Sequence, residues 1–396
     1  KKYIFILVSI TLCYSQSTGL SIYGAGENIQ NSDPASLSMG NSFFFSGNSK
    51  NISTGSPSSL WRSTLTQFTI HSGINVLEST QYPKQFRQIL TSFSLHFPVG
   101  EKKVLGFGLQ PIFRTNKLNI QDEYFQFIGA DENSLGAQIA FKNNYSINGG
   151  ISELFLEYSQ KVSSHFSGGI KYSFLFGNQY IDDELYTYDI SIDSLDTGLI
   201  IAEIISGADT IYAKAEDGIM TGLSKYRQFL GSILTMEGRY TDEKQEFLFR
   251  ASVNGSIRVK TKNIQFSNNT TYTNSFINTS DPILSEVGIG YLYKIKNNSA
   301  IIMELYKKYP LNIPENASLF NVLPPEENSI HLGSFYQIRN KRVGLWNSVN
   351  IRGGAYLKEL DFTGDKFLDY GATIGIGLEY FSNSQSIDFA FRAGKK

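Results

Sequence analysis

The chain has 396 residues and a formal net charge of -1, so its charge indicates no class of partner. Aromatic residues make up 14% of it and charged residues 18%, whereas a typical soluble protein has about 25% charged residues. This composition is too apolar for a disordered chain, and the mean hydropathy of -0.18 is too low for a bundle of membrane helices. A β-barrel whose strands are apolar at alternate positions fits both observations.

The first fifteen residues have the pattern of a secretory signal peptide. Lys1 and Lys2 precede an apolar run at positions 3–12, and Cys13-Tyr14-Ser15 resembles a cleavage site. Bulky Leu12 argues against a lipid-modified Cys13. Cys13 is the one cysteine of the chain, so cleavage near Ser15 leaves no disulfide and no thiol chemistry. No other segment reaches the roughly 18 apolar residues of a membrane-spanning helix, so any membrane crossing must be made by strands.

Alternation of apolar and polar residues predicts thirteen strands along the rest of the chain. One example is the segment 165–176, where Phe166 and Phe174 lie on one face and Ser167 and Ser173 on the other. Another is the segment 246–260, where we expect a bulge at Gly255. The predicted strands are 67–78, 86–97, 104–116, 151–160, 165–176, 225–240, 246–260, 285–296, 299–308, 329–339, 343–357, 370–381 and 385–393.

In the segment 246–260 we assign two faces. The apolar face has Phe247, Phe249, Ala251, Val253, Ile257 and Val259, and the polar face has Arg250, Ser252, Asn254, Ser256, Arg258 and Lys260. Alternation alone does not tell whether an apolar face points to a core or to lipid.

The lengths of the connections favour a barrel in the outer membrane. Tight turns follow every even-numbered strand, and longer loops follow the odd ones, which is the arrangement of periplasmic turns and exterior loops. The predicted long loops are 117–150, 177–224, 261–284, 309–328 and 358–369. Such barrels have an even number of strands, so thirteen strands lead us to expect a fourteenth beyond Lys396.

The exterior loop from Gly177 to Asp217 has ten acidic residues and one basic residue, Lys214. We interpret it first as a solvated loop. Calcium binding is the alternative, although the acidic residues lack EF-hand spacing.

No enzyme motif is present. The four histidines are His71, His96, His165 and His331, and they do not have the spacing of metal ligands. We interpret His71 and His96 as ordinary residues of the barrel wall or lumen. The alternative is a hydrolase in which one of them pairs with a serine on a neighbouring strand. We expect no catalytic residues, no metal and no cofactor, and no basic patch indicates nucleic-acid binding.

From about Ser21 onward, the chain resembles the FadL-type superfamily of outer-membrane transport proteins, which are fourteen-stranded barrels. The resemblance depends on the segment 35–44, which contains Met39-Gly40, and on Ser56-Pro57-Ser58-Ser59-Leu60, where the family usually has Asn-Pro-Ala. The segments 106–113, 151–158 and 371–391 add glycine and aromatic patterns. Serine holds a turn through its side chain less firmly than asparagine does.

This resemblance implies a signal peptide at 1–15, a hatch inside the lumen at 16–62 and a transmembrane barrel at 63–396. Residues Ser56, Pro57, Ser58 and Ser59 would form the hatch turn. The Ser, Asn and Gly content of the 16–62 segment agrees with a hatch, and a disordered leader is the alternative.

The resemblance also implies passive uptake of hydrophobic small molecules such as fatty acids, which leave through a lateral opening beside a kinked third strand. Pro111 lies in that strand, and proline cannot donate to the strand ladder. We therefore place the kink and the opening at Pro111, on the lipid-facing side. The alternative function is a scaffold or shuttle of a protein secretion system. The expected partners are outer-membrane lipid and a hydrophobic ligand, with the protein acting as a monomer.

Overall fold

The computed structural model describes seventeen segments of the chain, and the predicted signal peptide at 1–15 lies outside them. The described residues are 27–28, 33–46, 52–53, 55–77, 85–127, 138–193, 199–206, 209–215, 219–254, 257–267, 270–273, 276–281, 284–310, 326–339, 347–362, 365–380 and 385–395.

Nearly all of these residues form antiparallel strands. The nineteen strands are β1 Glu27–Asn28, β2 Gln67–Leu77, β3 Gln85–Gly100, β4 Lys103–Phe127, β5 Gln138–Lys161, β6 Phe166–Asp193, β7 Leu199–Ser206, β8 Asp209–Ala215, β9 Ile219–Thr241, β10 Gln245–Asn254, β11 Ile257–Ser267, β12 Thr270–Thr273, β13 Ile277–Asp281, β14 Leu284–Lys296, β15 Ser299–Pro310, β16 Glu326–Arg339, β17 Ser348–Phe362, β18 Asp365–Tyr380 and β19 Gln385–Lys395. There is also one α-helix, α1 at Pro34–Leu37, and a 3-10 helix at Pro57–Arg62.

In the described part of the chain thirteen strands form the wall, as the alternation predicts. Strands β2 to β6 pair in sequence, and β6 then pairs with β9. Strands β10 and β11 follow one another along β9 and count as one wall strand, and β13 and β14 form the next. Strands β15 to β19 complete the order by sequential pairing. Among the described residues β2 and β19 are not paired, so the sheet is open there, and the expected fourteenth strand stays a prediction.

The short connections lie at one end of the wall, which we call the turn rim, and the opposite end is the loop rim. Four of the predicted long loops, at 117–150, 177–224, 261–284 and 358–369, are wrong as irregular segments, because strands extend deep into them. Most of the loop predicted at 309–328 lies outside the described residues. Strand β4 continues to Phe127, β6 continues to Asp193, and β7 and β8 form a hairpin paired with β6. Only two residues separate β17 from β18. Strand extensions that have water on both faces need no apolar alternation, so the sequence pattern does not reveal them.

The outside of the wall is a belt of large apolar side chains. On β6 these include Phe166, Tyr172 and Phe174, which are 55%, 50% and 41% exposed, while the alternate residues Ser173 and Leu175 are buried. Strand β18 repeats the pattern with exposed Ile374. The predicted two-faced strands are therefore confirmed, and the apolar face is the outer one. None of the described helices is long and apolar enough to cross a membrane.

Strand alternation reverses between β10 and β11. Asn254 pairs with Ile233 of β9, and Arg258 pairs with Leu230, so four steps on one strand match three on the other. This is the register of a β-bulge, and the extra residue inverts the phase of the side chains. Ile257 and Val259 are buried. The expectation that they share the outer face of Phe247 is therefore wrong, although the slip in this region was predicted.

Candidate functional site

The segment predicted as a hatch is buried inside the wall over most of its described residues between 33 and 60. Helix α1 begins after Asp33, whose carboxylate accepts hydrogen bonds from the N–H of Ala35 at 3.0 Å and from the hydroxyl of Ser36 at 2.9 Å. Pro34 occupies the first helical turn, where its missing N–H costs nothing. Residues 38–46 are buried. The hatch thus has local structure of its own at α1, and its other stabilising contacts are made with the wall.

Gly40 fixes the hatch against three wall strands. Its φ of +74° lies in the left-handed region, where glycine is favoured. Its N–H donates to Thr373 Oγ1 at 2.7 Å, and its carbonyl oxygen lies 2.6 Å from His331 Nδ1. A Cβ atom on Gly354 of β17 would collide with the backbone of Gly40, so the hatch and the wall touch backbone to backbone here.

Glu304 of β15 binds the next part of the hatch. Its carboxylate accepts hydrogen bonds from the N–H groups of Phe43 at 2.8 Å and Phe44 at 3.2 Å, and from the Ser42 hydroxyl. The Tyr306 hydroxyl, at 3.0 Å, is a fourth donor. A carboxylate has only acceptor sites, so it suits four converging donors. The phenyl groups of Phe43 and Phe44 pack on Tyr306 beside it.

The predicted hatch turn at Ser56–Ser59 opens the 3-10 helix. The Ser56 side chain does not cap this helix. Its hydroxyl instead donates to Glu237 Oε2 at 2.6 Å, and the N–H of Ser58 donates to the same oxygen at 3.0 Å. The Ser59 hydroxyl closes the turn by donating to the Ser56 carbonyl at 2.9 Å. A wall carboxylate therefore does the work that the side chain of an asparagine would do within the turn.

Arg239 of β9 connects this turn to the first half of the hatch. The guanidinium donates to Ser56 Oγ at 3.0 Å and to the Phe44 carbonyl at 2.9 Å, and it lies over the Phe45 ring at 4.8 Å. It also forms an ion pair of 2.9 Å with Glu246. Five donors in a fixed plane allow one arginine to make all these contacts.

Charged side chains fill the lumen around the hatch. Besides Arg239, Glu246 contacts Arg62 at 3.1 Å and Lys294 at 3.6 Å. On the neighbouring strands, a chain of ion pairs joins Glu237, Arg250, Glu286, Lys308, Glu327 and Lys358. A cavity of about 250 Å³ lies at the turn rim, and its lining includes Trp61, Lys161 and Lys294. The described part of the hatch thus lies in the lumen among charged side chains.

One side of the lumen is apolar instead. Side chains from β4, β5, β6, β9 and β11 pack together there, namely Phe113, Ile151, Leu175, Phe229, Ile257 and Val259. We call them the apolar cluster. The bulge before β11 contributes two of its members, because it turns Ile257 and Val259 inward. At its lower edge Leu175 is paired with Glu153, and the ion-pair partner Lys171 of Glu153 lies nearer the turn rim.

Pro111 lies at an interruption of the wall next to the apolar cluster. The ladder between β3 and β4 runs from Gly100 and Lys103 to Phe93 and Leu109, and the described pairing ends there. Strand β4 continues beyond it, and the two residues of β1 pair with its positions 113 and 114. On the other side, toward β5, the register shifts between Pro111 and Phe113.

The shift changes the face of the residues that follow Pro111. Leu109 is 43% exposed on the outside, Phe113 is buried in the apolar cluster, and Pro111 itself is buried. Toward β5, Pro111 keeps the register of Leu109, so its place on the lipid-facing side stays a prediction. The expectation that Phe113 shares that face is wrong, because the bulge after Pro111 inverts the alternation.

A family model of BamG matches residues 1–396. The chain belongs to the BamG family. Two solved structures are similar to this BamG-family chain. The toluene transporter TbuX of Ralstonia pickettii has 11% identity and a TM-score of 0.50, with 92% of this chain and 93% of TbuX covered. The CymD monoaromatic hydrocarbon channel has 12% identity and a TM-score of 0.47, with coverages of 96% and 94%. No curated protein matches the chain. The FadL-type barrel fold expected from the sequence is confirmed.

The histidines of this BamG-family member have structural surroundings. His71 Nδ1 lies 2.8 Å from Ser92 Oγ on the next strand, so one serine and histidine pair does form. No carboxylate among the described residues bonds its other ring nitrogen, which a hydrolytic triad would require. His96 forms a buried pair with Glu157. The described residues contain no group of three side chains placed to hold a metal. Most of the acidic loop at 177–217 lies outside the described side chains.

Sequence reasoning missed the residues that bind the hatch, namely Glu237, Arg239 and Glu304. Glu304 carried one signal, because it interrupts the apolar run from Ile301 to Leu305. A buried charge costs free energy unless it is paired, so such a residue indicates an unseen partner.

Proposed function

We propose that the protein is an outer-membrane channel for passive uptake of hydrophobic small molecules. The observation that carries the proposal is the position of Pro111, where the β3–β4 ladder ends beside the apolar cluster. A hydrophobic compound that enters from the loop rim meets apolar side chains there. The charged lumen around the hatch offers it no favourable path toward the turn rim. Lateral passage between β3 and β4 is the remaining route.

The outer surface supports a location in the outer membrane. Large apolar residues such as Ile374 and Phe391 are 59% and 66% exposed, and exposed apolar patches of this extent are unfavourable in water. Contact with lipid removes that cost, and strands with alternating faces can present apolar residues to lipid without forming an apolar core. We expect the protein to function as a monomer surrounded by outer-membrane lipid.

The ligand class follows from the apolar cluster and from the similar structure. TbuX is named as a toluene transporter, so we propose monoaromatic hydrocarbons as the first compounds to test and fatty acids as the second. The cluster supplies aromatic and branched apolar side chains, which suit both types of compound.

Pro111→Val tests the lateral route. Valine supplies the N–H that proline lacks and favours an extended backbone, so it stabilises a continuous wall. We expect uptake of radiolabelled toluene by cells carrying this variant to fall about fivefold. One added backbone hydrogen bond of about 1 kcal/mol would reduce by that factor the fraction of molecules in which the wall is open beside Pro111. Pro98→Val is the matched control, because Pro98 lies near the turn rim, away from the apolar cluster, and is paired with Val104 of β4.

Equal uptake by both variants and the unmodified protein would refute the lateral route. If oleate uptake falls in the Pro111→Val variant while toluene uptake does not, the ligand class is fatty acids. Both measurements need equal amounts of folded barrel, which heat-modifiable migration on a gel reports.

A scaffold or shuttle of a protein secretion system is a second candidate function. It is favoured by the dense bonding of the hatch to Glu237, Arg239 and Glu304, which suits a permanently closed lumen. Deleting the gene distinguishes the candidates. A scaffold predicts loss of secreted cargo with unchanged toluene uptake, and a channel predicts the reverse.

A further inference from the structure

The bulge between β10 and β11 also turns positive charges outward. Arg258 and Lys260 are exposed on the outer face of the wall, because they pair with the outward positions Leu230 and Gln228 of β9. Half-buried Lys262 follows on the same face, paired with Tyr226. Without the extra residue these three cations would point into the lumen. The strand therefore carries a stripe of three cations, which we call the basic stripe.

No acidic side chain among the described residues pairs with the basic stripe. The neighbours along β13 are Asn278 opposite Lys260 and Ser280 opposite Arg258, both uncharged and exposed. The ammonium of Lys260 lies 4.1 Å from the centre of the Phe276 ring. Three like charges at alternate positions of one strand repel one another, so an anionic partner from outside the chain would stabilise them.

The height of the basic stripe matches the boundary between lipid tails and headgroups. Lys262 is level with Tyr226, whose ring lies 4.8 Å from that of Tyr180 on the next strand. Tyr226 and Gln228 share a hydrogen bond of 2.9 Å on this outer surface. Leu230 and Phe176 belong to the apolar belt and are level with Arg258, so the stripe begins at the top of the belt and continues above it. Tyrosines with polar partners directly above an apolar belt are typical of the membrane interface.

We propose that the basic stripe binds the phosphate groups of an anionic lipid in the outer leaflet. The membrane orientation proposed above, with the loop rim outside, determines which leaflet is meant. Arginine donates to phosphate oxygens in a bidentate manner and lysine binds them as a point charge. The lipid's acyl chains would then lie along the apolar belt below the stripe. This binding site is independent of the uptake route at Pro111, on the other side of β9.

The test compares two double variants that remove the same charge from opposite faces of the wall, with the control pair slightly nearer the loop rim. Arg258→Gln with Lys260→Gln neutralises the outward stripe. Lys225→Gln with Arg227→Gln is the matched control, because Arg227 faces the lumen, where it donates to Gln179. The probe is diphosphoryl lipid A, titrated into each detergent-solubilised protein and followed by native mass spectrometry. Dephosphorylated lipid A and inorganic phosphate are the comparison ligands.

We expect the unmodified protein and the lumenal control to prefer diphosphoryl lipid A over the dephosphorylated form. Each cation near a lipid phosphate contributes about 1 kcal/mol, so each removed charge should weaken binding about fivefold. Arg258→Lys with Lys260→Arg should retain binding. The proposal is overturned if the outward variant binds as tightly as the unmodified protein, or if phosphate removal from the lipid changes nothing. Inorganic phosphate that binds as tightly as the lipid would also overturn it. Toluene uptake tests the channel separately.

Discussion

Replacing Gly354 with alanine should detach part of the hatch, whereas the same change at Gly353 should not. A Cβ at position 354 would overlap the backbone of Gly40 and of Leu332. At position 353 the nearest atom is the Thr373 carbonyl oxygen at 3.8 Å, an ordinary contact. The two residues are adjacent on β17, so they share strand context and propensity.

The expected loss of stability at Gly354 can be worked from these contacts. Overpacking by one methyl group costs about 1–3 kcal/mol where the neighbours are rigid backbone. Displacing Gly40 also weakens its hydrogen bonds to Thr373 at 2.7 Å and His331 at 2.6 Å, each worth about 1 kcal/mol. We therefore expect roughly 2–5 kcal/mol for Gly354→Ala and less than about 1 kcal/mol for Gly353→Ala.

Two assays measure this difference in the refolded, detergent-solubilised protein. Urea titration gives the free energy of unfolding, and limited proteolysis shows whether the hatch segment between Asp33 and Ser63 is accessible. We expect Gly354→Ala alone to allow cleavage in the hatch while the barrel stays folded. If both variants unfold at the same urea concentration and protect the hatch equally, the backbone contact between Gly40 and Gly354 does not hold the hatch.

Two further predictions concern the lumen and the outer surface. Glu304→Gln replaces one acceptor oxygen by an NH₂ group that faces the N–H of Phe43, so we expect a loss of about 2–4 kcal/mol in urea titration. Glu243→Gln, at an exposed turn position, should change stability little, and equal effects would contradict the role of Glu304. Ile374→Arg places a charge on the apolar belt and should cost about 2–4 kcal/mol in lipid but little in water. Leu368→Arg, nearer the loop rim, should cost less in vesicles, and an equal cost at both positions would count against a membrane-embedded belt.

The strand order could be predicted because one face of each strand meets lipid. That face needs apolar residues, so alternation is strong on β6 and β18, where Phe174 and Ile374 are exposed. Alternation fades beyond the belt, which is why the extensions of β4 and β6 were missed. The side chains of Phe113 and Ile257 were both assigned to the wrong face of the wall, and for the same reason. A bulge inserts a residue whose effect on phase cannot be seen until the partner strand is known.

The residues that bind the hatch could not be predicted for a different reason. Glu237 and Arg239 read as ordinary polar positions on the inner face of β9. Their partners in the hatch precede them by about 180 residues, with Ser56 and Glu237 separated by 181. Nothing local marks such a pair. The hatch turn could be placed from its Ser-Pro pattern, but not the wall carboxylate that holds it.

The bonds of Gly40 have a consequence for the order in which the protein folds. Gly40 and Thr373 are 333 residues apart, so a segment near the beginning of the chain completes its bonding only when β18 is in place. Contacts between distant parts of a chain require closure of a long loop and form late. The part of the hatch around Gly40 must therefore remain unbound from β18 while most of the wall assembles. Its docking ties the first and last parts of the chain together, so it is a checkpoint for a completed barrel.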